Sequence, residues 1–152
     1  MPRWGIVGTG DISDRVVADL VAGGAEITAV WGRTAERAAE FASRHGIPFS
    51  TDDRPSLFDR GDVDMVYIAT PAHTHTAITL DAIAAGKHVL VEKPIATSAA
   101  DAEMLFARAA RADLFLMEAM WMRFNPLHVE VIDRIAGGEL GAVRSVRAAF
   151  GT

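Results

Sequence analysis

The sequence predicts a doubly wound α/β fold built around a mostly parallel β-sheet. Short apolar runs alternate with longer amphipathic segments, which is the pattern of successive βαβ units. The first apolar run, Trp4–Val7, leads directly into Gly8-Thr9-Gly10, and a later run that ends at Val91 leads into Glu92-Lys93-Pro94. The carboxyl ends of parallel strands meet at one edge of a sheet, where ligands bind. We therefore expect the glycine turn and Lys93 to lie at the same edge.

Five apolar runs predict strands, and a weaker run predicts a sixth. The strands are expected at Arg3–Val7, Glu26–Trp31, Met65–Ala69, His88–Val91 and Leu114–Met117, with the weaker one at Ile47–Ser50. Apolar stripes with helical spacing predict amphipathic helices between the strands. Glycines follow these helices at positions where a left-handed cap is typical.

The composition excludes several classes of function. The net charge of −5 and the absence of basic clusters argue against a nucleic-acid surface. The chain contains no Cys, which excludes disulfides and thiolate chemistry and fits a reducing compartment. No apolar stretch approaches the roughly 20 residues that span a bilayer, and a strand beginning near Arg3 leaves no room for a signal peptide. We therefore expect a cytoplasmic protein that binds neither nucleic acid nor membrane.

The segment Gly8–Ser13 matches a dinucleotide fingerprint, because it follows a strand and opens a helix. Gly8 permits the tight turn, and Gly10 lets the backbone approach a pyrophosphate at the helix N-terminus. Asp11 is a mild contradiction, since a carboxylate there repels phosphate while it favours the helix dipole. The alternative is a glycine turn with Asp11 or Ser13 capping the helix. The predicted cofactor-binding residues in this segment are Gly8, Thr9, Gly10, Asp11 and Ile12.

The end of the second strand indicates which dinucleotide binds. The sequence Trp31-Gly32-Arg33-Thr34 lacks the Asp or Glu that an NAD site places against the ribose 2′-hydroxyl. Arg33 can bind a 2′-phosphate instead, and Arg37 lies one helical turn further on. We therefore predict NADP as the cofactor, with NAD as the second choice. The alternative is that Thr34 caps a helix and both arginines are solvated surface charges.

The segment that follows Ala69 adds polar groups at the same edge. Pro71 fixes a turn, and Thr70 places a hydroxyl where the cofactor would cross the sheet edge. His73 and His75 also suggest a metal site, but no Cys or nearby carboxylate completes a ligand set. We expect no metal and assign Thr70, Pro71 and His75 to the cofactor site, with capping of the next helix as the alternative.

Lys93 is the predicted catalytic residue. An ammonium close to a substrate hydroxyl stabilises the alkoxide that develops as hydride leaves the carbon. Glu92 would hold or orient the lysine. The alternative is an ordinary surface ion pair at a strand end. Further along, Trp121 and Arg123 would suit a wall over a nicotinamide ring, whereas Trp121 and Phe124 would equally suit core or domain-interface packing.

The final stretch predicts a change of domain. A helix is expected from Pro126 to Ala136, and the alternation in Gly141–Phe150 predicts a half-buried strand of the antiparallel kind. One strand without a partner cannot form a sheet. We therefore expect residues 1–122 to form a dinucleotide-binding domain with a Rossmann fold. Residues 123–152 would form a linker helix and the first strand of a C-terminal α+β domain that is missing or truncated.

Taken in order, these segments resemble the Gfo/Idh/MocA family of oxidoreductases (glucose–fructose oxidoreductase and inositol dehydrogenase). The run Ala85–Pro94 is the most specific match, and Thr70, Pro71 and His75 match the family's Ala-Thr-Pro segment with its following His. The segment Glu118–Pro126 is similar to the branch that contains dimeric dihydrodiol dehydrogenase and NADP-dependent xylose dehydrogenase. The resemblance covers essentially the whole chain.

The resemblance implies that Lys93 contacts substrate and nicotinamide, and that Gly8, Gly10, Arg33, Thr70 and Glu92 face the cofactor. It also implies a C-terminal antiparallel sheet that binds the substrate, pairs subunits into a homo-oligomer and supplies a catalytic Tyr or His. The chain's single Tyr, Tyr67, falls in a predicted buried strand. The first hypothesis is therefore an NADP-dependent oxidoreductase acting on a sugar or diol hydroxyl. The alternatives are a non-catalytic dinucleotide-binding module and an inactive truncated fragment.

Overall fold

The computed structural model describes residues 1–149 and contains a six-stranded sheet flanked by helices. The strands are β1 Arg3–Val7, β2 Glu26–Trp31, β3 Phe49–Thr51, β4 Met65–Ile68, β5 His88–Val91 and β6 Leu116–Glu118. The helices are α1 Asp11–Ala22, α2 Ala35–His45, α3 Arg54–Phe58, α4 His75–Ala84, α5 Ala99–Arg111 and α6 Pro126–Ala136. The strand order is β3-β2-β1-β4-β5-β6 with every neighbouring pair parallel, which confirms the predicted doubly wound α/β fold.

Helices cover both faces of the sheet because successive residues of a strand point to opposite sides. On one face, Tyr67 of β4 packs in a buried cluster with Val17 of α1 and Phe41 of α2. On the other face, Ile68 packs in a second cluster that includes Ile78 of α4. Burial of each such side chain stabilises the fold by roughly 1.5–3 kcal/mol. These two cores hold the strand ends, and the loops after them, at one edge.

Two strands begin later than predicted because the preceding helices end with extra hydrogen bonds. Gly46 adopts a left-handed conformation with φ of 67°, and the Ile47 N–H then donates to the last turn of α2 at 2.9 Å. Asp113 has φ of 55°, and the Leu114 N–H likewise closes α5 at 2.9 Å. Ile47 and Leu114 therefore belong to helix ends, and β3 and β6 start at Phe49 and Leu116 instead.

The described chain forms two compact units, of which the first is Met1–Ala119 and the second begins at Met120. In the second unit, α6 has the predicted bounds, and Asn125 caps it by accepting the Leu127 N–H at 3.0 Å. Residues 141–149 form no strand, contrary to the prediction for Gly141–Phe150, whose last residue lies outside the described residues. An isolated strand has no ladder partner to stabilise it. The domain boundary after residue 122 remains a prediction. Within residues 1–149, no helix is long and apolar enough to cross a membrane.

Candidate cofactor site

The turn between β1 and α1 requires glycine at its first position. Gly8 has φ of +117°, and a Cβ atom there would lie 2.5 Å from the carbonyl oxygen of Ala69. The Gly8 N–H donates to the carbonyl of Trp31 at 3.0 Å. The turn is therefore held between β2 and β4, and any side chain at Gly8 would push the neighbouring loop away.

The N-terminus of α1 is open to a ligand. Gly10 is the N-cap residue, and within residues 1–149 no side chain bonds to the amides of this first turn. A Cβ atom on Gly10 would meet nothing within 4 Å, so packing inside the protein does not require glycine there. A backbone without a side chain is what close approach of a phosphate needs. Ser13 is fully buried, as close packing of α1 on the sheet requires.

A cleft of about 400 Å³ runs along the carboxyl edge of the sheet from this turn. Its lining includes predicted site residues from the loops after β1, β2 and β4 and from α2: Gly8, Thr9, Gly10, Arg33, Arg37, Thr70 and Pro71. Asp11 and Ile12 begin α1 with exposed side chains but do not line the cleft. A second hollow of about 310 Å³ near Met1 and Trp4 is mainly apolar and offers one carboxylate, Asp19. The polar groups suited to a nucleotide therefore belong to the first cleft.

Arg33 and Arg37 reach the cleft because β2 and α2 approach each other closely. A Cβ atom on Gly32 would lie 2.9 Å from the Ala38 nitrogen, so only glycine permits this approach. Thr34 caps α2, accepting the Arg37 N–H at 3.4 Å. The cap foreseen as an alternative is therefore present, and both arginines nevertheless line the cleft.

Arg54 is a third arginine that lines the cleft, and it was not predicted from the sequence. Arg54 is the first residue of α3, and its guanidinium carbon lies 5.4 Å from the centroid of the Trp31 ring. Its Nη2 donates to Asp81 Oδ2 at 3.4 Å. The available signal was its position shortly after β3, at the edge where Arg33 follows β2. That signal was weak because β3 has only three residues.

His75 occupies a different place from the one predicted. Its side chain is 1% exposed, with Nδ1 2.8 Å from the Pro94 carbonyl oxygen and Nε2 2.8 Å from the Thr70 carbonyl oxygen. Both ring nitrogens therefore face carbonyl oxygens inside the protein, whichever of them carries the N–H that donates, and neither is available to a cofactor. His75 instead ties the Thr70 loop to the loop that carries Lys93. In residues 1–149 there is no group of three or more His, Asp or Glu side chains that could hold a metal ion.

The loop that carries Lys93 is anchored on two further sides. The Tyr67 hydroxyl donates to Glu92 Oε1 at 2.7 Å, and the Ile95 N–H donates to Glu118 Oε1 at 2.9 Å. Tyr67 is fully buried, and this burial together with the Glu92 carboxylate raises its pKa, so the phenol stays protonated as a donor. Tyr67 was expected to be buried, but its role in holding Glu92 depends on strand register and was missed.

Lys93 itself is exposed, and its ammonium has no hydrogen-bond partner among residues 1–149. Glu92 was expected to hold or orient the lysine, but its carboxylate does not pair with the ammonium. Its Oε2 instead accepts the backbone N–H of Lys93 at 3.2 Å. Glu92 therefore orients the loop backbone and leaves the lysine charge available to a ligand. The surface ion pair considered as an alternative is not present in this part of the chain.

Trp121 and Arg123 lie in the second unit, in a short 3₁₀ turn spanning Trp121–Phe124. Trp121 and Phe124 are 64% and 65% exposed, so neither is a core residue. The assignment of Trp121 and Arg123 to the cofactor site remains a prediction.

A glycine turn, an open helix N-terminus and a cleft at the carboxyl edge of a parallel sheet define a dinucleotide-binding domain with a Rossmann fold. A family model described as "Oxidoreductase family, NAD-binding Rossmann fold" matches residues 2–120. The chain belongs to this family, Gfo/Idh/MocA, as the resemblance had indicated.

Relatives of known activity match nearly the whole chain. The trans-1,2-dihydrobenzene-1,2-diol dehydrogenase of Homo sapiens is 40% identical over 152 residues, which cover 98% of this chain and 46% of the relative. The Xenopus laevis enzyme of the same name is 38% identical, with 99% and 46% covered. A solved structure of KijD10, a 3-ketoreductase from Actinomadura kijaniata in complex with NADP, has a TM-score of 0.83 and 39% identity and covers 94% of this chain and 46% of that one. The chain thus spans about half the length of the curated relatives that it matches.

Proposed function

We propose that this chain is the NADP(H)-binding part of an oxidoreductase that transfers hydride between a nicotinamide and a carbon bearing a sugar or diol hydroxyl. One observation carries the proposal. An arginine-lined cleft beside the glycine turn and an anchored loop presenting Lys93 lie along the same edge of the sheet. A dinucleotide is long enough to extend from one to the other, and the nicotinamide, when bound, supplies the hydride acceptor or donor.

NADP(H) is favoured over NAD(H) by the charge of the cleft. Three arginines and no carboxylate are among its lining residues. An NAD site instead places an acidic side chain against the ribose 2′-hydroxyl, which would repel a 2′-phosphate. Guanidinium groups bind phosphate through paired, charge-assisted hydrogen bonds. The presence of NADP in the structure of KijD10 supports the same choice.

Lys93 is the proposed catalytic residue. Its unpaired ammonium would polarise the reacting oxygen and stabilise negative charge that develops on it during hydride transfer. Tyr67, His75 and Glu118 hold the loop, so the ammonium would be positioned before substrate arrives. Oxidation of a diol and reduction of a ketone fit the names of the relatives, a diol dehydrogenase and a 3-ketoreductase. We extend the proposal to a cytoplasmic homo-oligomer whose further acid–base residue lies outside this chain.

Titration of the purified chain with NADPH tests the proposal. We expect a saturable change in nicotinamide fluorescence and a rise in Tm, because a ligand that binds only the folded state must stabilise it. A folded chain that binds neither NADPH nor NADH would contradict the proposal. The variant Arg108→Gln serves as a control, since Arg108 is an exposed residue of α5 and does not line the cleft.

A further inference from the structure

Arg54 is held in place by the residues around it. Its guanidinium lies over the Trp31 ring, 5.4 Å from the centroid to the central carbon. The Trp31 ring is itself fixed, because its Nε1–H donates to the Asp52 carbonyl at 2.8 Å. The Arg54 side chain is about one-third exposed. The guanidinium therefore lies at the wall of the cleft in one restrained orientation.

Most of the hydrogen-bonding capacity of Arg54 is unused by the protein. A guanidinium has five N–H donors, and the described contacts engage only the one at Nη2, at a long 3.4 Å from Asp81. Its Nε is buried and has no hydrogen-bond partner in the described part of the chain. The side chain is partly exposed and lines the cleft, so its unused Nη donors are suited to an anion that enters there.

The surrounding charges favour a doubly charged anion. Arg33 and Arg37 line the same cleft as Arg54, and none of the lining residues is acidic. The carboxylate that pairs with the Arg54 guanidinium is that of Asp81, in α4. Three cations along one wall repel each other unless a ligand compensates their charge. A phosphate monoester carries close to two negative charges and offers several acceptor oxygens.

The position of Arg54 indicates which phosphate it would meet. The pyrophosphate of a dinucleotide belongs at the glycine turn and the N-terminus of α1. Arg54 instead follows β3, beyond β2 and Arg33, on the side where the adenosine ribose is placed. We infer that Arg54 binds the adenosine 2′-phosphate of NADP(H) together with Arg33 and Arg37, and is a third determinant of cofactor specificity. The inference rests on the proposed function, since it concerns the same cleft.

The inference is tested with Arg54→Gln, titrated calorimetrically with NADPH and NADH beside the wild-type chain. Loss of a charge-assisted contact should weaken NADPH binding roughly tenfold to hundredfold, while NADH binding changes less than about twofold. Arg108→Gln removes the same charge from the exposed face of α5 and should alter neither affinity. The Tm of each variant verifies that it is folded.

Asp81→Asn provides a test of opposite sign that leaves Arg54 intact. Removing this carboxylate releases Arg54 and removes a negative charge near the phosphate, so NADPH should bind a few-fold tighter while NADH is unchanged. This variant also tests the inference if Arg54→Gln does not fold. A higher affinity for NADPH alone supports the inference, and an unchanged affinity for NADPH overturns it.

Three further results would overturn the inference. Equal weakening of NADPH and NADH by Arg54→Gln would place Arg54 against the adenine or pyrophosphate. Unchanged NADPH affinity would remove Arg54 from the site altogether. In both cases the wild-type chain still binds NADPH, and the proposed function stands. If the folded wild-type chain binds neither nucleotide, the proposed function and this inference fail together.

Discussion

The two ends of the carboxyl edge in the first unit use polar side chains in opposite ways. At the end formed by the loops after β1, β2 and β3, Arg33, Arg37 and Arg54 line an open cleft, and their guanidinium groups make few bonds to the protein. At the end formed by the loops after β4, β5 and β6, His75 and Glu92 are engaged by neighbouring groups. The first end is therefore suited to binding, and the second to positioning.

This difference explains why the Lys93 ammonium is available to a ligand although the loop around it is polar. Around Lys93, the carboxylates accept hydrogen bonds from the Tyr67 hydroxyl and from backbone amides, and the His75 ring lies between two backbone carbonyls. Such satisfied groups fix geometry, because a buried polar atom is costly to leave unpaired. The Lys93 ammonium, by contrast, has no hydrogen-bond partner within residues 1–149. A substitution at one end therefore tests whether the other end is affected.

The largest effect is expected from Lys93→Met at the positioning end. Loss of one preorganised donor to a developing oxyanion typically lowers kcat by about 10²–10³-fold. NADPH affinity should stay within about threefold, because the arginines at the other end are unchanged. The measurement is steady-state oxidation of a dihydrodiol by the full-length protein, beside an NADPH titration of the same protein. An unaltered kcat/KM would remove Lys93 from catalysis.

The glycine turn provides a matched pair of variants at the binding end. Gly8→Ala forces a Cβ atom to 2.5 Å from the Ala69 oxygen at φ of +117°, so we expect a loss of about 2 kcal/mol or more in the free energy of unfolding. Gly10→Ala meets nothing within 4 Å and should lower stability by only about 1 kcal/mol, the cost of Ala at an N-cap, yet weaken NADPH binding. Urea unfolding and calorimetry measure both. A Gly10→Ala protein that binds NADPH normally would contradict the pyrophosphate assignment.

A smaller effect is expected from Tyr67→Phe, which preserves the ring and removes only the donor to Glu92. The carboxylate loses a bond inside the protein, so stability should fall by about 1–2 kcal/mol. We expect kcat to fall roughly tenfold as the Lys93 loop loosens, with the NADPH dissociation constant unchanged. Parallel kinetics and binding measurements distinguish these results. A selective loss of NADPH affinity would mean that Tyr67 serves the binding end.

The smallest effect concerns Arg3 and Asp64, at the opposite edge of the sheet. The Arg3 guanidinium, which bonds to Asp64 at 2.8 Å, holds the pKa of that carboxyl well below its usual range. A lowered folded-state pKa stabilises the protein above the unfolded pKa of about 3.9, and the gain is lost as the pH falls. The Asp64 side chain is 38% exposed, so solvent reduces the gain.

Asp64→Asn should therefore lower Tm at neutral pH, and the difference from wild type should shrink as the pH falls below about 5. NADPH affinity at neutral pH should be unaffected. A Tm difference that stays constant down to pH 3, measured by thermal unfolding, would contradict the assignment of the pKa shift to the folded state.

The sheet and half of the site could be predicted from the sequence because they depend on local patterns. Apolar runs mark strands, Gly8 marks a turn that tolerates no side chain, and charged residues after a strand mark the ligand edge. Long-range geometry could not be predicted in the same way. Tyr67 meets Glu92 because it pairs with Leu90, two residues before Glu92 on the same face.

The errors at His75 and Arg54 have the same origin. The ring of His75 points inward and contacts the carbonyl of Pro94, 19 residues further along the chain. A contact over that distance in sequence cannot be predicted from a local motif. Arg54 follows a three-residue strand whose pairing with β2 brings it beside Trp31. Both roles depend on the register of parallel strands, that is, on which residues of neighbouring strands lie side by side. A local sequence pattern does not reveal that register.

The most direct test of the binding end uses ligands that lack the nicotinamide altogether. Calorimetric titration of the 152-residue chain with 2′,5′-ADP and with 5′-AMP isolates the contribution of the 2′-phosphate. The arginine-lined cleft predicts that 2′,5′-ADP binds at least about tenfold tighter and that this preference falls as salt is added. Equal affinities at low salt would contradict the assignment of the cleft to NADP(H).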